Sequence, residues 1–96
     1  RQFGINIGKF EGIEEPMARI GGFTYLMDAA RRYTCGGLDM GEKPSVVTAI
    51  AKYNFTELGR EIVNDAMDIQ GGAGISRGPR NIFAHSYMSL PIAITV

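Results

Sequence analysis

The chain has 96 residues, with ten Lys/Arg against ten Asp/Glu and no basic cluster longer than Arg31-Arg32, so it lacks the electrostatic footprint of a nucleic-acid binder or an anionic-membrane binder. A 45% hydrophobic, 21% charged composition suits one small globular core and excludes a disordered chain. Cys35 is the single cysteine, which excludes an internal disulfide and a multi-cysteine zinc site and makes a reducing cytosolic setting the default.

No apolar run reaches the roughly 20 residues that cross a bilayer, and Arg1-Gln2-Phe3-Gly4 has neither the charged nor the apolar part of a signal peptide. A chain that opens on Arg and closes on Ile92-Ala93-Ile94-Thr95-Val96 is expected to be cut from something longer.

From Phe10, the residues Ile13, Met17, Ile20, Thr24, Met27 and Ala30 or Arg31 recur at helical spacing and predict a first helix from about Ile7 to Tyr33. Pro16 removes a backbone donor, so an interruption is expected there. Gly21-Gly22 costs about 1 kcal/mol per Gly relative to Ala and is read as a place where another helix backbone comes close. The stretch Cys35 to Pro44 collects glycines, a proline and charges and predicts a loop.

Val47, Ala51, Phe55, Leu58, Ile62, Ala66 and Ile69 then form one continuous stripe, predicting a second helix over Ser45 to Gln70, opened by Pro44 and stopped by Gly71-Gly72. After a loop from Gly71 to Pro79, Ile82, Phe83, Tyr87 and Leu90 predict a short helix from Arg80 to Leu90, ended by Pro91. The predicted fold is all-α, an incomplete antiparallel helical bundle of two long helices and one short helix.

Side chains with reactive potential have plain readings. Gly71-Gly72-Ala73-Gly74 follows a helix rather than a strand, so it reads as a helix cap before it reads as a phosphate loop, and Arg77 and Arg80 add little to the second reading. His85 has no second ligand at metal spacing, and no metal site is expected. Glu11, Glu14 and Glu15 suit the start of a helix. Asp65 and Asp68, on the second helix, read as ordinary surface neighbours, and the five methionines are scattered as gap fillers.

Taken together, Arg1-Gln2-Phe3-Gly4 before a long helix, Tyr25-Leu26-Met27-Asp28-Ala29-Ala30-Arg31-Arg32, a Pro-led helix and Ile69-Gln70-Gly71-Gly72-Ala73-Gly74-Ile75 resemble the C-terminal helical domain of the acyl-CoA dehydrogenases. The resemblance covers residues 1–96. Phe10-Glu11-Gly12-Ile13-Glu14-Glu15-Pro16 and Pro91 to Val96 look most like the bacterial long-chain fatty-acid-degrading branch.

The resemblance implies a parent enzyme that binds FAD, oxidises a fatty acyl-CoA to a trans-2-enoyl-CoA in β-oxidation and passes electrons to an electron-transfer flavoprotein. The expected catalytic glutamate would follow Val96, so no catalytic residue is assigned within the chain, which alone is expected to be inactive. The family's Arg-x-x-Phe-Gly motif maps its Phe and Gly onto Phe3 and Gly4; its arginine would fall one position before Arg1, which stands beside them as a further candidate cofactor contact. Its Gly-Gly-x-Gly loop maps onto Gly71, Gly72 and Gly74, and both motifs would approach the flavin of a partner subunit.

Asp68 stands where a glutamine is common, and an acid there would repel a diphosphate unless turned away. Ala84-His85 replaces a common Arg-Asp pair. An incomplete bundle leaves apolar stripes uncovered, so self-association into a dimer or larger assembly is expected; the expected setting is the bacterial cytoplasm, with membrane association of the parent left open. Two other readings stay open: a helical protein–protein interaction module without catalysis, and a fragment of an acyl-CoA oxidase.

Overall fold

A computed structural model describes residues 1–95. Three α-helices follow one another: α1, Glu11–Asp39; α2, Ser45–Gln70; and α3, Ala84–Thr95. The all-α expectation holds. Residues 26–34 of α1 face residues 47–58 of α2, while residues 13–20 face residues 66–72, so the two long helices run antiparallel. α2 is central and packs against both α1 and α3. None of these helices is long and apolar enough to cross a membrane.

The seven-residue stripe of α2 is buried or half-buried throughout, as its spacing predicts, and α2 has the predicted bounds. α1 departs from expectation at both ends. Its first predicted turn is a separate 3₁₀ turn, Ile7–Lys9, capped by Asn6, whose Oδ1 accepts from the Gly8 N–H at 3.1 Å. Phe10 is extended, and the α-helix starts after it.

Nor does Pro16 interrupt α1. The bond lost there is the one to the Gly12 carbonyl, and Gly12 is exposed, where water replaces the missing donor. Pro91 likewise lies inside α3 instead of ending it. The carbonyl it leaves without a partner belongs to exposed Tyr87.

The predicted loop at Cys35 begins five residues later. Gly36 and Gly37 stay helical, and the stop is set by Gly41 at φ +86°. The Gly41 N–H donates to the Leu38 carbonyl and the Glu42 N–H to the Gly37 carbonyl, both at 3.0 Å, the paired bonds of a Schellman cap.

The inward face of α1 also differs from the predicted stripe. Ile13, Pro16, Ile20, Phe23, Met27, Ala30, Thr34 and Gly37 are half-buried and alternate three and four apart, whereas Met17 and Thr24 are exposed. A heptad-like seam thus replaces the predicted face. Gly21 and Gly22 have open space beside them, so no backbone approaches them among the described residues, contrary to the close-packing reading.

Little of this chain is enclosed. The only hydrophobic side chain in the buried class is Ala66, among the described residues, and Tyr25, Leu26, Tyr33, Ile50 and Tyr53 are all exposed. The accessible surface is 7447 Å², against about 5,400 Å² for a compact protein of this mass. The radius of gyration is 16.3 Å, against about 12.5 Å for a compact domain of this length.

One charged pair ties α1 to α2. Arg19 grips Asp65 with two bonds, Nε to Oδ2 at 2.9 Å and Nη2 to Oδ1 at 3.0 Å, while its Nη1 holds Glu15 at 3.0 Å. Asp65 is buried; the paired bonds from Arg19 hold its carboxyl below the usual carboxylate range, against the opposing effect of burial. A lowered folded pKa means the stabilisation is full above the ordinary value of 3.8 and is lost as pH falls below it, through the folded value. Thermal unfolding followed by circular dichroism at fixed concentration should therefore be flat from neutrality to about pH 4 and fall below it. Asp65→Asn should lower Tm at pH 7 by about 5 °C and flatten that acid limb; an unchanged acid limb would contradict this assignment.

Candidate functional site

At the end of the bundle away from the α1–α2 loop, an open groove of about 800 Å³ runs between the N-terminal segment and the end of α2. Its volume falls within the range of small-molecule sites. Ile7, Phe10, Ile13, Ile20 and Ile69 supply most of its apolar wall, and Arg1, Phe3, Gly71 and Gly72 line it as well. The antiparallel pairing of α1 and α2 therefore brings the chain's first residues and the glycine run after α2 to one place.

The first four residues are shaped by a two-residue turn. Gln2 and Ile5 exchange backbone bonds of 3.0 and 3.1 Å, and the central residues Phe3 and Gly4 have φ of +54° and +78°. Positive φ at both centres is the pattern of a type I′ turn. Glycine accepts it freely; phenylalanine does so at a cost of about 1–3 kcal/mol. The turn leaves Phe3 92% exposed, touching Phe10 edge to face with ring centres 6.2 Å apart. The Arg1 guanidinium donates to the Gly4 carbonyl at 2.9 Å, closing the turn from outside.

On the other side, Gly71 caps α2 at φ +64°, and Gly71–Gly74 continue as one 3₁₀ turn. Gly72 has nothing within contact distance of where a side chain would start, so its backbone is open to the groove. Gly74 lies buried beneath, where a Cβ would stand 3.2 Å from the Met67 carbonyl. Three glycines thus have three tasks: a left-handed cap, an open backbone and close packing. Of the six residues singled out in the sequence, Arg1, Phe3, Gly71 and Gly72 line the groove, while Gly4 and Gly74 shape the turns behind it.

Asn81, Gln70 and Phe83 were not singled out. Asn81 Nδ2 donates to the carbonyls of Ala73 (3.0 Å), Gly74 (2.6 Å) and Ser76 (2.9 Å). Its Oδ1 accepts from the Phe83 and Ala84 N–H groups at 3.2 and 3.0 Å. One side chain therefore pins the glycine loop and caps α3. An asparagine three residues before the helix start was the available signal, masked by placing that start at Arg80.

Gln70 and Phe83 also line the groove, and Gln70 further borders a hollow of about 340 Å³ with Arg77 and Arg80. Neither arginine has a carboxylate partner among the described residues. Asp68 is exposed and borders neither the groove nor the hollow, so its charge is turned away from both. Among the groove's described lining residues Arg1 is the only charged one and no acid, histidine or cysteine is present. Such a groove can bind and orient; it has no group of its own that moves a proton near neutral pH.

Asn81→Ala should cost about 1–2 kcal/mol and speed tryptic cleavage at Arg77 and Arg80, read by thermal unfolding and timed proteolysis. Asn81→Asp keeps the helix cap but turns a carboxylate towards three carbonyls, so it should loosen the loop as well. Unchanged cleavage in both variants would contradict the role given to Asn81.

No solved structure matches the chain. The family model described as the acyl-CoA dehydrogenase C-terminal domain matches residues 1–93. With that match spanning nearly all of its length, the chain belongs to the acyl-CoA dehydrogenases, a family of oxidoreductases that are generally flavin-dependent.

Proposed function

We propose that this chain forms the flavin-facing edge of an FAD-dependent acyl-CoA dehydrogenase that converts fatty acyl-CoA to trans-2-enoyl-CoA in β-oxidation, with the bacterial long-chain branch as its place in the family. The observation that carries the reading is the convergence of Arg1, Phe3, Gly71 and Gly72 on one groove.

The residues present suit a flavin dinucleotide. Gly72 offers open backbone for close approach, and an enclosed acceptor, Gln70 Oε1, has no partner. Arg1, Arg77 and Arg80 supply positive charge around the glycine loop without competing carboxylates among the described residues. When bound, the flavin supplies hydride acceptance from the acyl β-carbon. Arg1 and the glycine loop would hold the diphosphate, and the apolar wall from Ile7 to Ile20 would exclude water from the buried part of the cofactor. The α-proton would be taken by a base that the lining of this groove does not supply.

Surface left open along α1 and α2 supports a second part of the reading, self-association into a dimer or larger assembly. The excess over a compact monomer is roughly 2,000 Å², above the roughly 800 Å² per partner that a stable interface buries. The electron acceptor in this reading is an electron-transfer flavoprotein.

The test uses the protein that carries this domain. It should purify yellow, sediment as a dimer or larger, and lose its flavin absorption when a long-chain acyl-CoA is added without oxygen. Bleaching with rapid oxygen consumption in air would mark an oxidase instead, and a colourless protein would contradict the flavin reading.

A further inference from the structure

α1 carries a second stripe, nearly opposite the one that meets α2. Glu15, Ala18, Gly22, Tyr25, Ala29 and Arg32 alternate three and four apart, and all of them are exposed. Between Glu15 and Asp28 the helix has one charge, Arg19, and that side chain is drawn to Asp65 of α2. Tyr25 stands 81% exposed in this uncharged middle. Gly22, one turn before it, has nothing within contact distance of where a side chain would start. The helix dipole accounts for acids at the start of α1 and arginines nearer its end. It accounts neither for a bare aromatic ring nor for a glycine that costs about 1 kcal/mol in an open helix.

The order along the stripe narrows what can cover it: acid, small, small, aromatic, small, base. Laid antiparallel on itself about a twofold axis between Phe23 and Thr24, the stripe sets Tyr25 over Gly22, Ala18 over Ala29 and Glu15 against Arg32, and each pairing occurs twice. A parallel pairing would set ring on ring and like charge on like charge. The charged ends have groups to spare. Glu15 uses only Oε1, on Arg19, and Arg32 uses only Nε, on Asp28; Glu15 Oε2 and the two terminal nitrogens of Arg32 have no partner among the described residues.

We propose that the outward face of α1 is an interface between two copies of this chain, an antiparallel pairing of α1 with itself in which Tyr25 sits on Gly22 of the partner subunit and Glu15 meets Arg32 of the partner subunit. This rests on the self-association reading above and adds to it a surface, an orientation and a register.

The test is sedimentation of the whole protein over a concentration series, with helix content and unfolding followed by circular dichroism. Gly22→Leu puts a better helix former in an open position, so helix content should hold. It also fills the seat of Tyr25, so association should weaken about tenfold or more. Arg32→Glu sets two like-charge pairs in the interface and should weaken association about tenfold. Adding Glu15→Arg to it re-forms both pairs in reverse and should restore most of the affinity, which a general loss of stability would not do.

Three outcomes overturn the inference alone while wild type still associates: Gly22→Leu that associates equally well, a double variant no better than Arg32→Glu, or Gly22→Leu that unfolds early with its assembly unchanged, the mark of another segment of the same protein over this face. A wild-type protein that sediments as a monomer overturns the self-association reading and this inference with it.

Discussion

The site depends on the grip of Arg19 on Asp65. Apolar burial between α1 and α2 is thin, and such contacts are non-directional; they would tolerate sliding of one helix along the other. The two bonds of a guanidinium to a carboxylate do not tolerate it, because both partners are planar and the geometry is paired. The register they fix sets the N-terminal turn against the glycine loop. A shift by one helical turn, about 5.4 Å, would separate the two halves of the groove.

Around that fixed register the work is divided among residues that do no chemistry. The I′ turn at Phe3-Gly4 and the cap at Gly71 put backbone at positive φ on both sides of the groove. Asn81 then fastens the loop to the start of α3. The result is an apolar cleft with positive charge at its margin and open backbone at Gly72. Such a cleft suits a cofactor whose reactivity is its own and whose binding alone falls to the protein.

Much of this was legible from periodicity, and the misses have definite causes. α2 was readable because its stripe is unbroken and its ends carry Pro44 and Gly71. The end of α1 was misread because glycine is ambiguous in sequence: Gly36 and Gly37 are tolerated inside the helix, whereas Gly41 alone adopts the left-handed cap. The prolines misled in the same way, since Pro16 and Pro91 each free a carbonyl at an exposed residue that water can serve. Arg19–Asp65 and Gln70 could not be found from spacing at all. Their meaning lies in partners distant along the chain, or in the absence of a partner. The glycine run became more than a helix cap only through the family resemblance, and the fold then placed it beside Arg1 and Phe3.

The exposed apolar side chains of α1 and α2 and the groove at the far end of these helices belong to different tasks. Leu26, Tyr33 and Ile50 offer area without direction, suited to covering by other helices, whereas the groove combines direction, charge and open backbone. The central claim is that the N-terminal turn and the glycine loop act as one binding unit. Hydrogen–deuterium exchange of the whole protein, with and without FAD, tests it most directly. The account predicts that FAD slows exchange together at residues 2–5 and 71–75. Protection of only one segment, or of neither in a flavin-replete protein, would contradict it.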